Sequence, residues 1–220
     1  PGDTLDCTAT ASDKDDGTAT AEASAAVTNT DPVVIAVEVS PSAGAVGDEL
    51  TCDANATDPD GGTPTLSYAW SNNGINIGNG TTYLIQTSDK PHDQLECIAT
   101  ALDNDGGITT SMDSAEVTNT DPVVDSISVS SSSGVVGDTL ICSATATDAN
   151  GDTPSLSFAW SKNENQIESG PKYIIKPSDR PDETLTCTAT ASDNDGGSAT
   201  GEASIIVANT PPVIGDVAAI

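Results

Sequence analysis

The sequence predicts an all-β protein made of tandem antiparallel β-sandwiches, and three observations predict it. The segment Asn29-Thr30-Asp31-Pro32 recurs at 119–122, and residues 31–120 align with 121–210 without a gap, a little over half of the positions being identical. Within this 90-residue repeat, apolar and polar residues alternate with a period of two in short runs bounded by turn residues. Helical spacing is absent from the pattern. About seven short strands in one repeat are typical of a sandwich.

The repeat also divides the chain into domains. Residues 1–30 match 91–120 and 181–210, so we expect them to be the C-terminal part of a preceding repeat, holding its strands F and G. Residues 31–120 and 121–210 are two complete repeats, and 211–220 are expected to form the first strand of a following one. The sequence therefore predicts a slice of a longer tandem array.

Each strand of the repeat follows from its own alternation. Leu50 and Cys52 mark the inward face of strand B together with Ala54 and Ala56, and Leu95, Cys97 and Ala99 mark that of strand F. In repeat 31–120 the predicted strands are A, Val33–Val39; B, Glu49–Thr57; C, Leu66–Ser71; E, Thr82–Gln86; F, Gln94–Ala101; and G, Ile108–Thr118.

The cysteines and tryptophans carry a family resemblance. Five cysteines stand 45 residues apart, at Cys7, Cys52, Cys97, Cys142 and Cys187, and a tryptophan lies between the two cysteines of each complete repeat. This cysteine–tryptophan–cysteine order resembles the immunoglobulin fold and implies tandem immunoglobulin-like sandwiches. The resemblance implies disulfides Cys52–Cys97 and Cys142–Cys187, packed against Trp70 and Trp160, and a partner for Cys7 45 residues upstream. Free buried thiols are the alternative.

Two further motifs narrow the resemblance. The Asn-Thr-Asp-Pro-Val-Val opening at 29–34 and the Ala-Thr-Asp-x-Asp-Gly-Gly run at 56–62 are similar to those of the PKD-type and cadherin-like tandem modules of large bacterial surface proteins. That similarity implies an extracellular stalk, adhesin or filament. Disulfides would place the chain in an oxidising compartment, outside the cell.

Acidic glycine loops follow each cysteine, at 13–17, 58–62, 103–107, 148–152 and 193–197. In an immunoglobulin-like sandwich the B–C and F–G loops share the pole at which the N-terminal linker arrives. Crowded carboxylates repel one another unless a cation lies among them, and hard oxygen ligands are those that calcium prefers. The expected calcium ligands are Asn29, Asp31, Asp58, Asp60, Asp103 and Asp105 at the first junction, and Asn119, Asp121, Asp148, Asn150, Asp152, Asp193 and Asp195 at the second.

Two interpretations of these loops stay open. In one, by similarity to cadherin junctions, calcium stiffens a short linker that Pro32 and Pro122 already restrict. In the other, the loops are solvated Asp-Gly turns, chosen because these residues make tight connections. Asn55 and Asn79 fit the N-glycosylation pattern, Asn79 being the better acceptor because it is expected in an exposed turn.

Composition excludes several classes of partner. With 34 acidic and 6 basic residues the net charge is −28, so nucleic acid and anionic lipid are poor partners. No apolar run approaches the ~20 residues that a membrane helix needs, and Pro1 opens onto a polar segment without a visible signal peptide. A single histidine, His92, and the lack of a nucleophile motif argue against an enzyme.

The leading functional hypothesis is therefore structural. We expect an extracellular stalk or fibre that contacts further copies of its own repeat and possible neighbouring chains. The alternative is an adhesin that captures a glycan or a protein. Trp70 and Tyr68 could form a sugar platform, but the alternation of strand C places Trp70 in the core.

Overall fold

A computed structural model describes residues 1–212 of the chain. It confirms an all-β, tandem immunoglobulin-like architecture, and no helix occurs in these residues. The chain divides into two compact units: unit 1 comprises Pro1–Ile85 and His92–Val117, and unit 2 comprises Gln86–Pro91 and the chain from Thr118 onward. The strand expected in 211–220 lies almost wholly outside the described residues.

Unit 1 begins with a two-stranded hairpin and continues as a sandwich of two sheets. One sheet has the order β3-β5-β8, and the other has the order β4-β10-β9-β6-β7 with β4 parallel to β10. The strands are β1 Thr4–Ser12, β2 Thr18–Ala26, β3 Val33–Ser40, β4 Ala43–Gly44, β5 Glu49–Thr57, β6 Thr65–Asn72, β7 Ile75–Asn79, β8 Thr82–Leu84, β9 Gln94–Leu102 and β10 Ile108–Val117.

Unit 2 contains the second sandwich, with sheets β11-β13-β16 and β12-β18-β17-β14-β15. Each of its strands begins 90 residues after its counterpart in unit 1. They are β11 Val123–Val129, β12 Ser133–Gly134, β13 Thr139–Thr147, β14 Ser155–Lys162, β15 Asn165–Ser169, β16 Lys172–Ile174, β17 Thr184–Ser192 and β18 Ser198–Val207.

The six predicted strands are all present, and the differences have local causes. Strand E ends at Leu84 rather than Gln86, because the Gln86 amide donates to Asp89 Oδ2 and turns the chain. Two edge strands, β4 and β7, were not predicted. Strand β7 is a short edge strand in which Ile75 is exposed and Ile77 packs against the core. It follows the two-residue turn Asn73-Gly74, whose φ values of 52° and 76° suit a type I′ hairpin.

Each core is centred on a disulfide and a tryptophan. Cys52–Cys97 joins the two sheets with an S–S distance of 2.07 Å, and Cys142–Cys187 does so at 2.13 Å, which confirms both expected pairs. Trp70 is fully buried, and its Nε1 donates to the Gly80 carbonyl at 3.1 Å. Leu50, Leu95 and Ala99 face the interior as predicted, whereas Ala54 and Ala56 are only half-buried.

A polar network that the sequence did not suggest supports unit 2. Lys162 Nζ lies 2.8 Å from Asp179 Oδ1 and 3.1 Å from Glu183 Oε2, and Tyr173 donates its hydroxyl to Asp179 Oδ2 at 2.7 Å. Burial would raise the pKa of Asp179, but the hydrogen bonds from Lys162, the Lys176 amide and Tyr173 outweigh it and hold that pKa below its ordinary value. In unit 1 Asn72 occupies the position of Lys162 and donates to Asp93 at 2.7 Å.

Removing one disulfide is expected to destabilise its own sandwich. The double substitution Cys52→Ala/Cys97→Ala reopens a loop with a sequence separation of 45 residues, and we expect the free energy of unfolding of unit 1 to fall by about 4 kcal/mol. Urea denaturation followed by Trp70 fluorescence measures this in a Trp160→Phe background. The matched pair Cys142→Ala/Cys187→Ala should leave the Trp70 transition in place, and an unchanged midpoint in the first variant would contradict the expectation.

Candidate functional site

The first aspartate of each acidic loop closes that loop on itself. Asp103 Oδ1 accepts the backbone amides of Asp105 and Gly107 at 2.9 and 2.8 Å, and Asp13 and Asp193 accept the corresponding pairs of amides. Asp58 and Asp148 each accept one amide, two residues on. These carboxylates therefore form tight turns, as in the second interpretation of the loops.

The linker that enters the unit 1 sandwich is tied to both of its loops. Asn29 Nδ2 donates to Asp103 Oδ2 at 3.0 Å across a sequence separation of 74 residues. The Thr30 amide donates to Asp60 Oδ2 at 2.5 Å. The expected convergence of linker, B–C loop and F–G loop is thus present for these four residues, and it is made by direct hydrogen bonds.

Unit 2 repeats the same anchors with one change of chemistry. Asn119 Nδ2 donates to Asp193 Oδ2 at 2.8 Å, and the Thr120 amide donates to Asn150 Oδ1 at 2.8 Å. Asn150 stands where unit 1 has Asp60, and it supplies the same acceptor oxygen without the negative charge. At the B–C loop, the two units therefore share the hydrogen bond to the linker amide but not the negative charge.

Gly107 allows three side chains to approach one point. A Cβ at this position would lie 2.7 Å from Asp31 Oδ1 and 2.8 Å from Asn29 Nδ2, and would also contact Asp103 Oδ2. At Gly197 of unit 2 the equivalent groups are those of Asp121, Asn119 and Asp193. The sequence analysis identified the aspartates but not this glycine. The recurrence of glycine as the fifth residue of the loops at 13–17, 58–62, 103–107 and 193–197 could have indicated it.

Oxygen atoms without partners suggest that this point can hold a cation. Asn29 Oδ1, Asn119 Oδ1 and Asp148 Oδ2 are buried and have no hydrogen-bond partner. Hard oxygen donors of this kind suit calcium better than zinc. Across residues 1–212, however, no three carboxylate, histidine or cysteine side chains are gathered closely enough to hold a metal ion. Asp105 and Asp195 are exposed and contribute only their backbone amides to the loops.

An ammonium group lies at the B–C loop of unit 2. Lys90, which belongs to unit 2, donates to the Asn150 carbonyl at 2.8 Å, and its Nζ lies 3.7 Å from Asp152 Oδ1. Unit 1 has Gly62 at the position of Asp152. The predicted ligand Asp152 is therefore already neutralised in part.

The anchors lower the pKa of the two F–G loop aspartates. The hydrogen bond from Asn29 is the largest influence on Asp103 and lowers its pKa; burial opposes this, and the amides of 105–107 add to the lowering. Asn119 and the amides of 195–197 lower the pKa of Asp193 in the same way. Both carboxylates are charged near neutral pH, as a cation site requires.

The structure also shows where the two sequon asparagines, Trp70 and His92 lie. Asn55 lies on β5 and Asn79 ends β7, and both are exposed, so both sequons stay predictions. Trp70 is buried, as its alternation predicted. His92 is exposed and lies 3.1 Å from Glu116. Within the described part of the chain no helix is long and apolar enough to cross a membrane.

Comparisons with known proteins find likeness in structure alone. No protein-family model matches the sequence, and no curated protein matches it. Among solved structures, the N-terminal eight immunoglobulin domains of Down Syndrome Cell Adhesion Molecule share 16% identity over 94% of this chain, with a TM-score of 0.46. Protocadherin Gamma B2 domains 1–5 share 11% over 95% (TM-score 0.41), and Drosophila OTK extracellular domains 3–5 share 13% over 89% (TM-score 0.41).

The chain spans 28% of the first of these structures and 46% of the second. The values describe a distant likeness to tandem extracellular modules, and the fold of this chain is established by its own strand order and disulfides.

Filling the space beside Gly107 is expected to disrupt the linker anchor. Gly107→Ala places a methyl group against Asn29, Asp31 and Asp103, so we expect a loss of about 1–3 kcal/mol in the stability of unit 1. Thermal unfolding measures the loss. Gly17→Ala is the matched control, since its methyl group would contact Asp13 alone. Equal, small effects of both substitutions would show that the linker does not depend on this close approach.

Proposed function

We propose that the chain is a segment of an extracellular stalk or fibre built from tandem immunoglobulin-like sandwiches. One observation carries the proposal: strands, disulfide, core tryptophan and linker anchors of unit 1 recur in unit 2 at the same 90-residue offset. Tandem-repeat arrays are built from units in which equivalent residues have the same structural role. The sequence resemblance to bacterial surface modules supports a bacterial source.

The distribution of aromatic residues supports a structural role over ligand binding. All six lie in the described residues and none is exposed; they are Tyr68, Trp70, Tyr83, Phe158, Trp160 and Tyr173. Interfaces and sugar platforms use exposed aromatic rings. Here the rings fill two equivalent cores, and we assign the chain no catalytic role.

The disulfides support an extracellular location. They persist in oxidising compartments, and the two sandwiches depend on them because apolar residues make up 35% and aromatic residues 3% of the chain. The net charge of −28 favours solubility of the chain and repels nucleic acid and anionic lipid.

We further propose that calcium binds where each linker meets its sandwich. In unit 1 the ligands would come from Asn29, Asp31 and Asp103, with Asp58, Asp60 and Asp105 nearby. The carboxylates of Asp31 and Asp103 face one point, and Asn29 Oδ1 beside them is buried without a partner. When bound, calcium would supply the positive charge that offsets the repulsion between these carboxylates and would restrict the linker.

Calcium is expected to stabilise the chain through Asp31. The melting temperature should rise in millimolar calcium and fall in chelator, and small-angle scattering should show a narrower distribution of interatomic distances with calcium. Asp31→Asn removes one charge without a change in size, so the rise assigned to unit 1 should weaken. Asp53→Asn, an exposed acid on β5, is the control for the same charge change.

Calorimetric titration with calcium distinguishes the two interpretations of the loops. Binding that Asp31→Asn reduces and Asp53→Asn leaves unchanged supports the site. No binding heat and no response of melting temperature or scattering would show that the loops are turns held by their hydrogen bonds alone.

An adhesin remains the second candidate, and one surface favours it. On the outer face of β9 and β10, Ile98 and Met112 are paired neighbours, and Met112 is 62% exposed. Unit 2 has Thr188 and Glu202 at these positions, hydrogen-bonded at 3.2 Å. An apolar patch in one copy alone is what a ligand site in an array would show.

A binding screen tests this candidate. If the patch binds a glycan or a protein, Met112→Glu, which restores the unit 2 residue, should abolish binding, and Glu116→Gln on the same strand should not. Binding that is insensitive to Met112→Glu would exclude the patch.

A further inference from the structure

Three asparagine–glycine pairs occur in the sequence, at 73–74, 79–80 and 150–151. In such a pair the backbone nitrogen of the glycine can attack the side-chain amide of the asparagine, because glycine has no side chain to hinder the approach and rotates freely. The three pairs have the same local chemistry. Differences in their reactivity in the folded chain therefore come from the structure around them.

Two of the three pairs are protected by hydrogen bonds of the glycine nitrogen. The Gly80 amide donates to the Tyr68 carbonyl at 3.1 Å, and the Gly151 amide donates to the Asp148 carbonyl at 3.1 Å. Asn150 is also fully buried. A backbone nitrogen held in this way reacts only after the surrounding structure opens locally.

The pair Asn73-Gly74 has neither form of protection. Both residues are exposed, and a Cβ at Gly74 would meet no atom of the described residues within 4 Å. In the part of the chain that the structure describes, no group accepts a hydrogen bond from the Gly74 amide. The pair forms the turn between β6 and β7, and β7 lies at the edge of its sheet. Edge elements of this kind open at low cost.

Unit 2 contains the same turn without the reactive pair. Asn163-Glu164 joins β14 to β15 with φ values of 50° and 65°, compared with 52° and 76° at Asn73-Gly74. The side chain of Glu164 crowds the backbone nitrogen that would attack Asn163. The two units therefore share the geometry of this turn, whereas only unit 1 has glycine at its second position.

We propose that Asn73 is a site of spontaneous deamidation in the folded chain. The Asn73 backbone rotates out of its left-handed conformation, and the Gly74 nitrogen loses its proton and forms a bond to Asn73 Cγ. The Cγ–Nδ2 bond breaks, and ammonia leaves. Water then opens the cyclic imide: opening at Cγ gives aspartate, and opening at the backbone carbonyl carbon gives isoaspartate. One amide and one water become one carboxyl group and one ammonia, without oxidation or reduction.

The modification removes contacts that hold the turn. Asn73 Nδ2 donates to Asn72 Oδ1 at 2.9 Å, and deamidation replaces this donor with a carboxylate. Isoaspartate also adds a methylene group to the backbone, which is incompatible with a two-residue turn between the paired residues Asn72 and Ile75. Strand β7 carries Ile77, which packs against the core of unit 1. We therefore expect the isoaspartyl form to loosen this edge of unit 1 and to leave unit 2 unchanged.

Peptide mapping by tandem mass spectrometry tests the proposal on the full chain after prolonged incubation at mildly alkaline pH. In the folded chain Asn73 should be converted at least about ten times faster than Asn79 and Asn150, since these react only on local opening. The products at position 73 should separate into aspartyl and isoaspartyl peptides. In urea all three asparagines should react at comparable rates, which measures their reactivity without the fold.

Two matched variants exchange the turn residue between the units. Gly74→Glu supplies the residue of unit 2 and should slow the conversion of Asn73 by a factor of about 10 or more, because a side chain then hinders the attacking nitrogen. Glu164→Gly creates the pair in unit 2 and should make Asn163 react at a rate similar to that of Asn73. Thermal unfolding of both variants checks that each sandwich has formed.

Three results would each overturn the proposal. Asn79 or Asn150 of the folded chain could react as fast as Asn73, or Asn73 could stay intact in the folded chain while it reacts in urea. The third is that folded Glu164→Gly leaves Asn163 unmodified under conditions that convert Asn73.

Discussion

The disulfide bond between the two sheets of each sandwich is the constraint on which the rest of the structure depends. With 3% aromatic residues and strands rich in alanine and threonine, each core holds little apolar volume. A disulfide between strands B and F, packed beside one tryptophan, compensates by restricting the unfolded chain and by fixing how the sheets face each other. Once that alignment is fixed, the B–C and F–G loops must emerge at one pole, and the linker that arrives there meets both.

At that pole, hydrogen bonding and charge have separate roles. The first aspartate of each loop accepts backbone amides and forms a turn, and Asp13 in the β1–β2 hairpin does the same. The linker is held by two donors, an asparagine side chain and a threonine backbone amide. The acceptor of the backbone amide is Asp60 in unit 1 and the neutral Asn150 in unit 2. What remains for a cation is the pair of carboxylates facing Gly107 and the unpartnered oxygen of Asn29.

The β1–β2 hairpin has the same strand register as its counterparts in the two sandwiches. Turn chemistry and alternation give β1 and β2 the register of their counterparts even though both strands are exposed.

The sequence by itself determined the repeat, the six main strands and the buried position of Trp70, because these depend on alternation with a period of two and on a strict 90-residue repeat. The cysteine pairs were implied by the resemblance to the immunoglobulin fold, and the structure confirms them. The sequence did not reveal β4 or β7, since a two-residue strand shows no alternation and the alternation of β7 is confined to Ile75 and Ile77. Only the tertiary structure decided which atoms meet at the pole. Asn29 and Asp103, which are hydrogen-bonded, lie 74 residues apart in the sequence. Lys162 on β14 likewise forms ion pairs with Asp179 and Glu183, which lie between β16 and β17. Such contacts depend on positions set by the packing of two sheets, which no local pattern encodes.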